Sequence, residues 1–153
     1  RGAGLSNAGL CRKREAIARA IARNHPDPAD AFSVLRCLGG LDIAALAGVC
    51  LGGALHHVPV LLDGFISAVA ALAAVRMCPA SGEYLLASHV SKEPAGRLVL
   101  DALGLKPLIC AEMCLGEGTG AVAAMPLLDM ALAVYGEMRT FAEIDVAAYT
   151  PQS

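Results

Sequence analysis

The chain has 153 residues, enough for one ordinary domain of roughly 100–200 residues. Hydrophobic residues make up 56% and charged residues 17%, which excludes a disordered tail, because such tails show the opposite bias. With 12 basic and 14 acidic residues the formal net charge is −2, so the charge favours neither a nucleic acid nor an anionic membrane as partner. Aromatic residues are 4% and Trp is absent, which argues against surfaces that stack bases.

An uncharged segment of 20 residues between Asp42 and Asp63 is long enough to span a bilayer. It contains glycines, a histidine pair and Pro59, and it divides naturally into a helix, a turn and a short strand. We therefore expect no membrane span here. A membrane-associated helical protein remains an alternative, which solubility without detergent would exclude. The start of the chain lacks the apolar core and cleavage site of a signal peptide, and we expect a cytoplasmic protein.

The apolar periods and the turn residues predict helices and strands that alternate along much of the chain. After an opening glycine-bearing loop, Ser6 or Asn7 is expected to cap the first helix, and Asp27 with Pro28 to begin the second. Pro126 is expected to kink or delay the last helix. The predicted helices end near residues 24, 38, 56, 77, 103 and 138, and the predicted strands lie at 58–62, 84–87 and 107–109.

Nearly all-apolar strands that alternate with helices predict a parallel sheet covered on both faces. The expected fold class is α/β, a three-layer α/β/α arrangement with a parallel, Rossmann-like sheet. Ligands of such sheets bind beyond the carboxyl ends of the strands. This rule points to three places, residues 63–64, 88–91 and 116–120. The opening loop is a fourth if a strand precedes it.

The six cysteines include no CxxC pair and lie in apolar surroundings, which predicts reduced, buried side chains in a cytosolic protein. Cys110 and Cys114 are four residues apart, a spacing that would suit two metal ligands on one helix. Pro107 and Gly116 argue against a helix there, and we predict no metal site.

Gly2 and Gly4, followed by Lys13 in the first helix, could cradle a phosphate, because glycine lets backbone N–H groups approach an anion. A glycine loop before a helix is also common without any ligand. Asp63-Gly64 at a strand end has the same two interpretations, a ligand contact or a helix cap.

Glu117 lies between Gly116 and Gly118, with Leu115 and other apolar residues around it. A carboxylate in apolar surroundings is reluctant to ionise, which suits a general base. A solvated loop acid or a helix cap is an equally open interpretation of the residues alone. His89 shows no catalytic-triad pattern, so a structural or substrate-contacting role is favoured.

Several motifs then occur in a fixed order: RGAGL with Lys13, GGLDIAALAG, VPVLLDGFIS, YLLASHVSKEPAG, LGEGTGA and EMRTFAE. Together they resemble the C-terminal half of the nicotinate-nucleotide–dimethylbenzimidazole phosphoribosyltransferase family, across essentially all 153 residues. The resemblance implies that 1–153 is the C-terminal portion of one such domain, with 121–153 as its C-terminal helix and tail. It also implies a missing N-terminal half, so we expect a fragment or split subunit whose activity alone is doubtful.

The reaction implied by the resemblance transfers the phosphoribosyl group of nicotinate mononucleotide to 5,6-dimethylbenzimidazole and releases nicotinate. Glu117 would be the general base. No cofactor is implied, and the expected partners are the small-molecule substrates and, as homodimer or missing half, further protein. A non-catalytic nucleotide- or phosphate-binding unit remains the alternative. The residues expected to bind substrate are Gly2, Gly4, Lys13, Asp63, Gly64, Ser91, Leu115, Gly116 and Gly118.

Overall fold

In the computed structural model, which describes residues 5–147 and 149–151, helices alternate with strands in the middle of the chain, as predicted. The helices are α1 (Asn7–Asn24), α2 (Ala31–Leu38), α3 (Leu41–Leu55), α4 (Phe65–Met77), α5 (Gly96–Leu103) and α6 (Thr119–Glu137). The strands are β1 (Val60–Leu62) and β2 (Leu85–Ala87), and two 3₁₀ segments cover Pro79–Tyr84 and Phe141–Ile144.

Polar side chains fix the starts of the first two helices. The Ser6 hydroxyl accepts a backbone N–H of the first turn of α1, so Ser6 is the cap among the two predicted candidates. α2 begins after Asp30, whose carboxylate accepts the Phe32 N–H at 2.9 Å. The predicted start at Asp27 and Pro28 is therefore wrong, because the Asp27 carboxylate instead closes a turn on the N–H two residues further on.

The two strands pair in parallel, with Val60 opposite Leu85 and Leu62 opposite Ala87. The predicted third strand at 107–109 contributes only one parallel bridge, between His89 and Ile109, which extends the sheet beyond β2. The described residues thus confirm an α/β protein with a parallel sheet, and this sheet is small. α4 makes the connection between β1 and β2, as parallel pairing requires.

α4 lies at the centre of the packing, between α3 and α5. Its alanines Ala70, Ala71 and Ala74 are completely buried, and small side chains at these positions let neighbouring helices approach closely. Leu62 and Leu85 of the two strands join the same core cluster. The alanine-rich composition is therefore explained by helix packing around the strands.

The cysteines differ from the expectation that all six are buried. Cys50 is buried in the core at 2% exposure, and burial raises the pKa of its thiol. Cys37 is half-buried, whereas four others are exposed: Cys11, Cys78, Cys110 and Cys114. The expectation fails because apolar neighbours in the sequence do not ensure neighbours in space.

α6 exposes most of its apolar surface, with Val122 67%, Met130 57% and Tyr135 89% exposed. The accessible surface of the chain is 10821 Å², whereas a compact monomer of this mass exposes roughly 7,000 Å². Within the described part of the chain, α6 is the helix whose length and composition would allow it to cross a membrane. The segment 42–63 does not form such a helix, since it is divided between α3, a turn and β1, as expected.

Candidate active site

A cleft of about 330 Å³ opens at the carboxyl ends of the two strands. It lies between the start of α4, the segment after β2 and the loop that precedes α6. Three of the places nominated from the sequence therefore meet in one cavity. The lining residues are Asp63, Gly64, Phe65, Ile66, Ser67, His89, Ser91, Glu93, Cys114, Leu115, Gly116 and Glu117.

The loop before α6 has an unusual backbone. Gly116, Glu117 and Gly118 have φ values of 78°, 60° and 78°, so three successive residues lie in the left-handed region. Glycine adopts this conformation readily, whereas a glutamate there is strained, and such strain is concentrated at functional sites. Thr119 holds the turn, because its hydroxyl donates to the Gly116 carbonyl at 2.8 Å. The loop thereby presents Glu117 at the edge of the cleft.

The Glu117 side chain is exposed in this chain. The apolar surroundings that were expected for it are not supplied by the described residues, because Leu115 next to it is itself 73% exposed. Apolar neighbours in the sequence again do not close around the side chain. An exposed carboxylate at the mouth of a cleft can still accept a proton from a bound molecule.

Asp63 holds the loop and helix from across the cleft. Its carboxylate accepts the N–H of Gly120 at 2.8 Å, of Ala121 at 3.1 Å and of Gly118 at 3.2 Å. Gly120 and Ala121 lie in the first turn of α6 and Gly118 at the residue before it, where a negative charge also interacts favourably with the helix dipole. Of the two interpretations of Asp63, capping is observed, but the capped helix is α6 and not the adjacent α4.

The start of α4 has no side-chain cap, and Gly64 occupies the capping position. Gly64, Phe65 and Ser67 line the cleft, so the uncapped N-terminus of this helix faces the cavity. The first N–H groups of a helix attract anions. This end of the cleft is therefore suited to a negatively charged group.

Ser91 lies buried at the cleft with 8% exposure, and its hydroxyl donates to the Glu93 carboxylate at 2.8 Å. Next to it, Lys92 forms an exposed ion pair with Glu112 at 3.1 Å. Exposed pairs of this kind stabilise proteins little.

The structure thus gathers six predicted site residues around one cavity, with Gly118 tied to it through Asp63. Lys13 is exposed on α1 and is not among the lining residues, whereas Gly2 and Gly4 lie outside the described residues. The described segments contain no group of three side chains suited to hold a metal ion.

Sequence reasoning did not assign a site role to the α4 residues Phe65, Ile66 and Ser67, nor to Glu93 and Cys114. For His89 the sequence favours a structural or substrate-contacting role and indicates no definite partner. The strand-end rule points to its segment, and the same rule extended one helical turn beyond Gly64 reaches the start of α4.

Comparisons with known proteins show the family of the chain. A family model described as "Phosphoribosyltransferase" matches residues 1–146. The chain is 47% identical over 151 residues to the nicotinate-nucleotide–dimethylbenzimidazole phosphoribosyltransferase of Ruminiclostridium cellulolyticum, covering 99% of this chain and 43% of the relative. It is 49% identical over 147 residues to the protein of the same name from Desulforudis audaxviator, covering 96% of this chain and 42% of the relative.

Among solved structures, the crystal structure of CobT from Thermus thermophilus matches with a TM-score of 0.85 and 46% identity, covering 96% of this chain and 44% of that chain. The chain spans less than half the length of the curated relatives that it matches. The match nevertheless includes nearly every residue of the chain. It confirms the family that the sequence motifs indicate. The chain belongs to the nicotinate-nucleotide–dimethylbenzimidazole phosphoribosyltransferase family.

Proposed function

We propose that this chain contributes the cleft in which the phosphoribosyl group of nicotinate mononucleotide is transferred to 5,6-dimethylbenzimidazole, giving α-ribazole 5′-phosphate and nicotinate. The observation that carries the proposal is the glycine-flanked Glu117 at a cleft built from strand ends. The names of the relatives, at 47–49% identity, support this choice of substrates. A volume of about 330 Å³ falls at the lower end of the range for small-molecule sites.

In the proposed reaction, one ring nitrogen of the benzimidazole attacks the anomeric carbon of the mononucleotide. The bond between that carbon and the pyridinium nitrogen breaks, and its electron pair leaves with nicotinate. The Glu117 carboxylate accepts the N–H proton from the other benzimidazole nitrogen, so the transferred product is uncharged at its base. Expulsion neutralises the positive pyridinium, and the step therefore calls for no strong acid, no metal clamp and no cofactor.

The phosphate end of the mononucleotide is proposed to bind glycine-rich backbone, with Gly2, Gly4 and Lys13 as the family resemblance implies. Gly64 and Ser91 line the cleft, and the uncapped start of α4 favours an anion at that end of the cleft. Leu115, Gly116 and Gly118 form the wall that carries the base. Asp63 is proposed to act by holding this wall, since its carboxylate is already engaged with α6.

The test is Glu117→Gln in a full-length protein that contains these residues. Loss of the base should lower kcat by roughly 10²–10⁴, the usual contribution of a positioned general base. Release of nicotinate from the mononucleotide, measured at saturating benzimidazole, reports kcat. Glu137→Gln, at the other end of α6, is the matched control and should leave kcat unchanged.

A loss below about tenfold for Glu117→Gln would assign the base to another residue. Binding of the mononucleotide without any release of nicotinate by the unmodified protein would favour the alternative, a non-catalytic nucleotide-binding unit.

We further infer that 1–153 forms the C-terminal portion of a three-layer, Rossmann-like domain, with 121–153 as its helix and tail, in a cytoplasmic homodimer. The parallel pairing of β1 and β2 and the exposed apolar surface of α6 support a larger assembled domain. The small-molecule substrates named for the relatives support a biosynthetic enzyme.

A further inference from the structure

His89 is a buried histidine that has no part in the proposed reaction. It lies two residues after the end of β2 and is 5% exposed. Its imidazole lies against the starts of two helices. A Cβ atom placed on Gly64 would lie 3.6 Å from the ring Cε1 atom, and one placed on Gly120 would overlap the ring outright. The ring therefore fills the space between the first residues of α4 and α6.

Hydrogen bonds fix the orientation of this ring. The Ser88 hydroxyl donates to the Asp63 carbonyl at 2.9 Å, and the same oxygen lies 3.0 Å from Nδ1 of His89. A hydroxyl has one proton, so the Ser88 oxygen must accept from His89, and Nδ1 carries the hydrogen. In the neutral imidazole Nε2 is then the unprotonated nitrogen. Ser88 thus links the ring to the backbone of Asp63.

Gly120 is consequently held on two sides. Its N–H donates to the Asp63 carboxylate at 2.8 Å, while its α-carbon rests against the imidazole. Asp63 and His89 follow adjacent strands, so both contacts originate at the same edge of the sheet. The beginning of α6 cannot move toward the sheet without displacing the ring. It cannot move away without losing the hydrogen bonds to Asp63.

We propose that His89 is a positioning residue that sets the place of Glu117 in the cleft through Gly120. Glu117 is separated from Gly120 by only two residues, in a loop whose three left-handed residues leave little freedom. A shift of the helix start therefore displaces the carboxylate. The inference rests on the proposed role of Glu117, and it explains why a residue with no Cβ is required at position 120.

The first experiment compares His89→Leu with His89→Asn in a full-length protein. Leucine fills the space without the hydrogen bond, whereas asparagine keeps a donor near the position of Nδ1. His89→Leu should lower kcat by roughly ten- to a hundredfold, because a misplacement of about 1 Å can cost a hundredfold in rate. The KM for nicotinate mononucleotide should change little, and His89→Asn should recover part of kcat. His57→Leu, at the exposed His57–Tyr84 pair, is the control and should leave kcat unchanged.

The second experiment is a double-variant cycle with Gly120→Ala. If the imidazole is the obstacle to a Cβ, Gly120→Ala with His89→Ala should lose no more kcat than the worse single variant. Losses that multiply would show independent roles and overturn the inference. An unchanged kcat in His89→Leu would overturn it too. So would a rise in KM alone, since that would mean direct substrate contact.

A readout that needs no activity separates this inference from the proposed function. Hydrogen exchange of the Gly120 and Ala121 amides should accelerate in His89→Leu and not in His57→Leu. If the unmodified full-length protein released no nicotinate but these amides still responded, the proposed function would fail and the structural role would stand. Unchanged exchange in His89→Leu would overturn the positioning role by itself.

Discussion

At the scale of single residues, two carboxylates at the same cleft have opposite environments. The Asp63 carboxylate accepts three backbone N–H groups and is held in place. The Glu117 side chain is exposed and projects from a strained loop. One acid is thus structural and the other is available to a bound molecule, a division of roles that environment decides and residue type does not.

Lys13 provides a prediction at this scale. Lys13→Ala in a full-length protein should weaken the binding of nicotinate mononucleotide and leave the affinity for benzimidazole nearly unchanged, because only the mononucleotide has a phosphate. A charge-assisted hydrogen bond contributes about 1.5–3 kcal/mol, so affinity should fall roughly ten- to a hundredfold. Titration calorimetry with each ligand measures both effects.

Arg12→Ala is the matched control for Lys13→Ala, because Arg12 is an exposed cation at the adjacent position of α1. An equal loss of affinity for both ligands in Lys13→Ala would indicate a folding defect. An unchanged affinity for the mononucleotide would remove Lys13 from the phosphate site.

At the scale of elements, helix starts in this protein are fixed either locally or from a distance. α1 and α2 are capped by the residue just before them, Ser6 and Asp30, so each cap is local in the sequence. α6 is capped by Asp63, more than 50 residues upstream. A cap of this second kind ties together two elements of the fold, so it positions the loop as well as beginning the helix.

The 3₁₀ segment Phe141–Ile144 has a local cap that predicts a pH dependence. The Thr140 N–H donates to the Glu143 carboxylate at 2.6 Å, and this bond, with that of the Thr140 hydroxyl, holds the pKa of Glu143 below its usual value. The pKa is lower in the folded segment than in the unfolded one. The ionised carboxylate therefore stabilises the segment fully at pH values above the usual glutamate pKa of about 4.3. This contribution is lost as the pH falls through the lowered pKa.

We therefore expect an NMR titration of the Glu143 carboxyl to show a midpoint below that of an unstructured glutamate. The chemical shifts of the 141–144 amides should change over the same pH range. Thr140→Ala removes the hydroxyl donor and should move the midpoint upward. A midpoint at the ordinary value in the unmodified chain would contradict the capping geometry.

At the scale of the whole molecule, exposed apolar surface predicts association. The accessible area of 10821 Å² exceeds that of a compact monomer by an amount comparable to a large protein interface. α6 carries much of the apolar part, and the small sheet leaves open edges. The isolated 153-residue chain should therefore form oligomers or aggregates and show no measurable transferase activity.

Light scattering of the purified chain, together with a nicotinate-release assay, tests both parts of this prediction. Co-expression with the N-terminal half of a relative should give a soluble species of defined size. A monodisperse monomer that turns over substrate would contradict the prediction. Extraction that requires detergent would instead favour a membrane role for α6, the helix with the composition for it.

The order of the six helices and the first two strands, a cap at Ser6 or Asn7 and the glycine-flanked glutamate could be predicted from the sequence, whereas the predicted third strand is only a single bridge. Each depends on interactions within a few residues: an apolar period, a short polar side chain before a helix, or glycines at positive φ. The approximate location of the cleft could also be predicted, because parallel strands end at one edge of a sheet and ligands bind beyond that edge. The family resemblance rests on the same local motifs.

Only the tertiary structure decided which residues meet across the cleft. That Asp63 caps α6, that His89 lies against Gly120 and that most cysteines are exposed all depend on how distant segments pack. A sequence pattern records the period of each element but not its neighbour in space, so a carboxylate at a strand end is compatible with several partners. Asp63 meets α6 because the parallel sheet brings the end of β1 beside the loop of residues 116–120, more than 50 residues further along the chain.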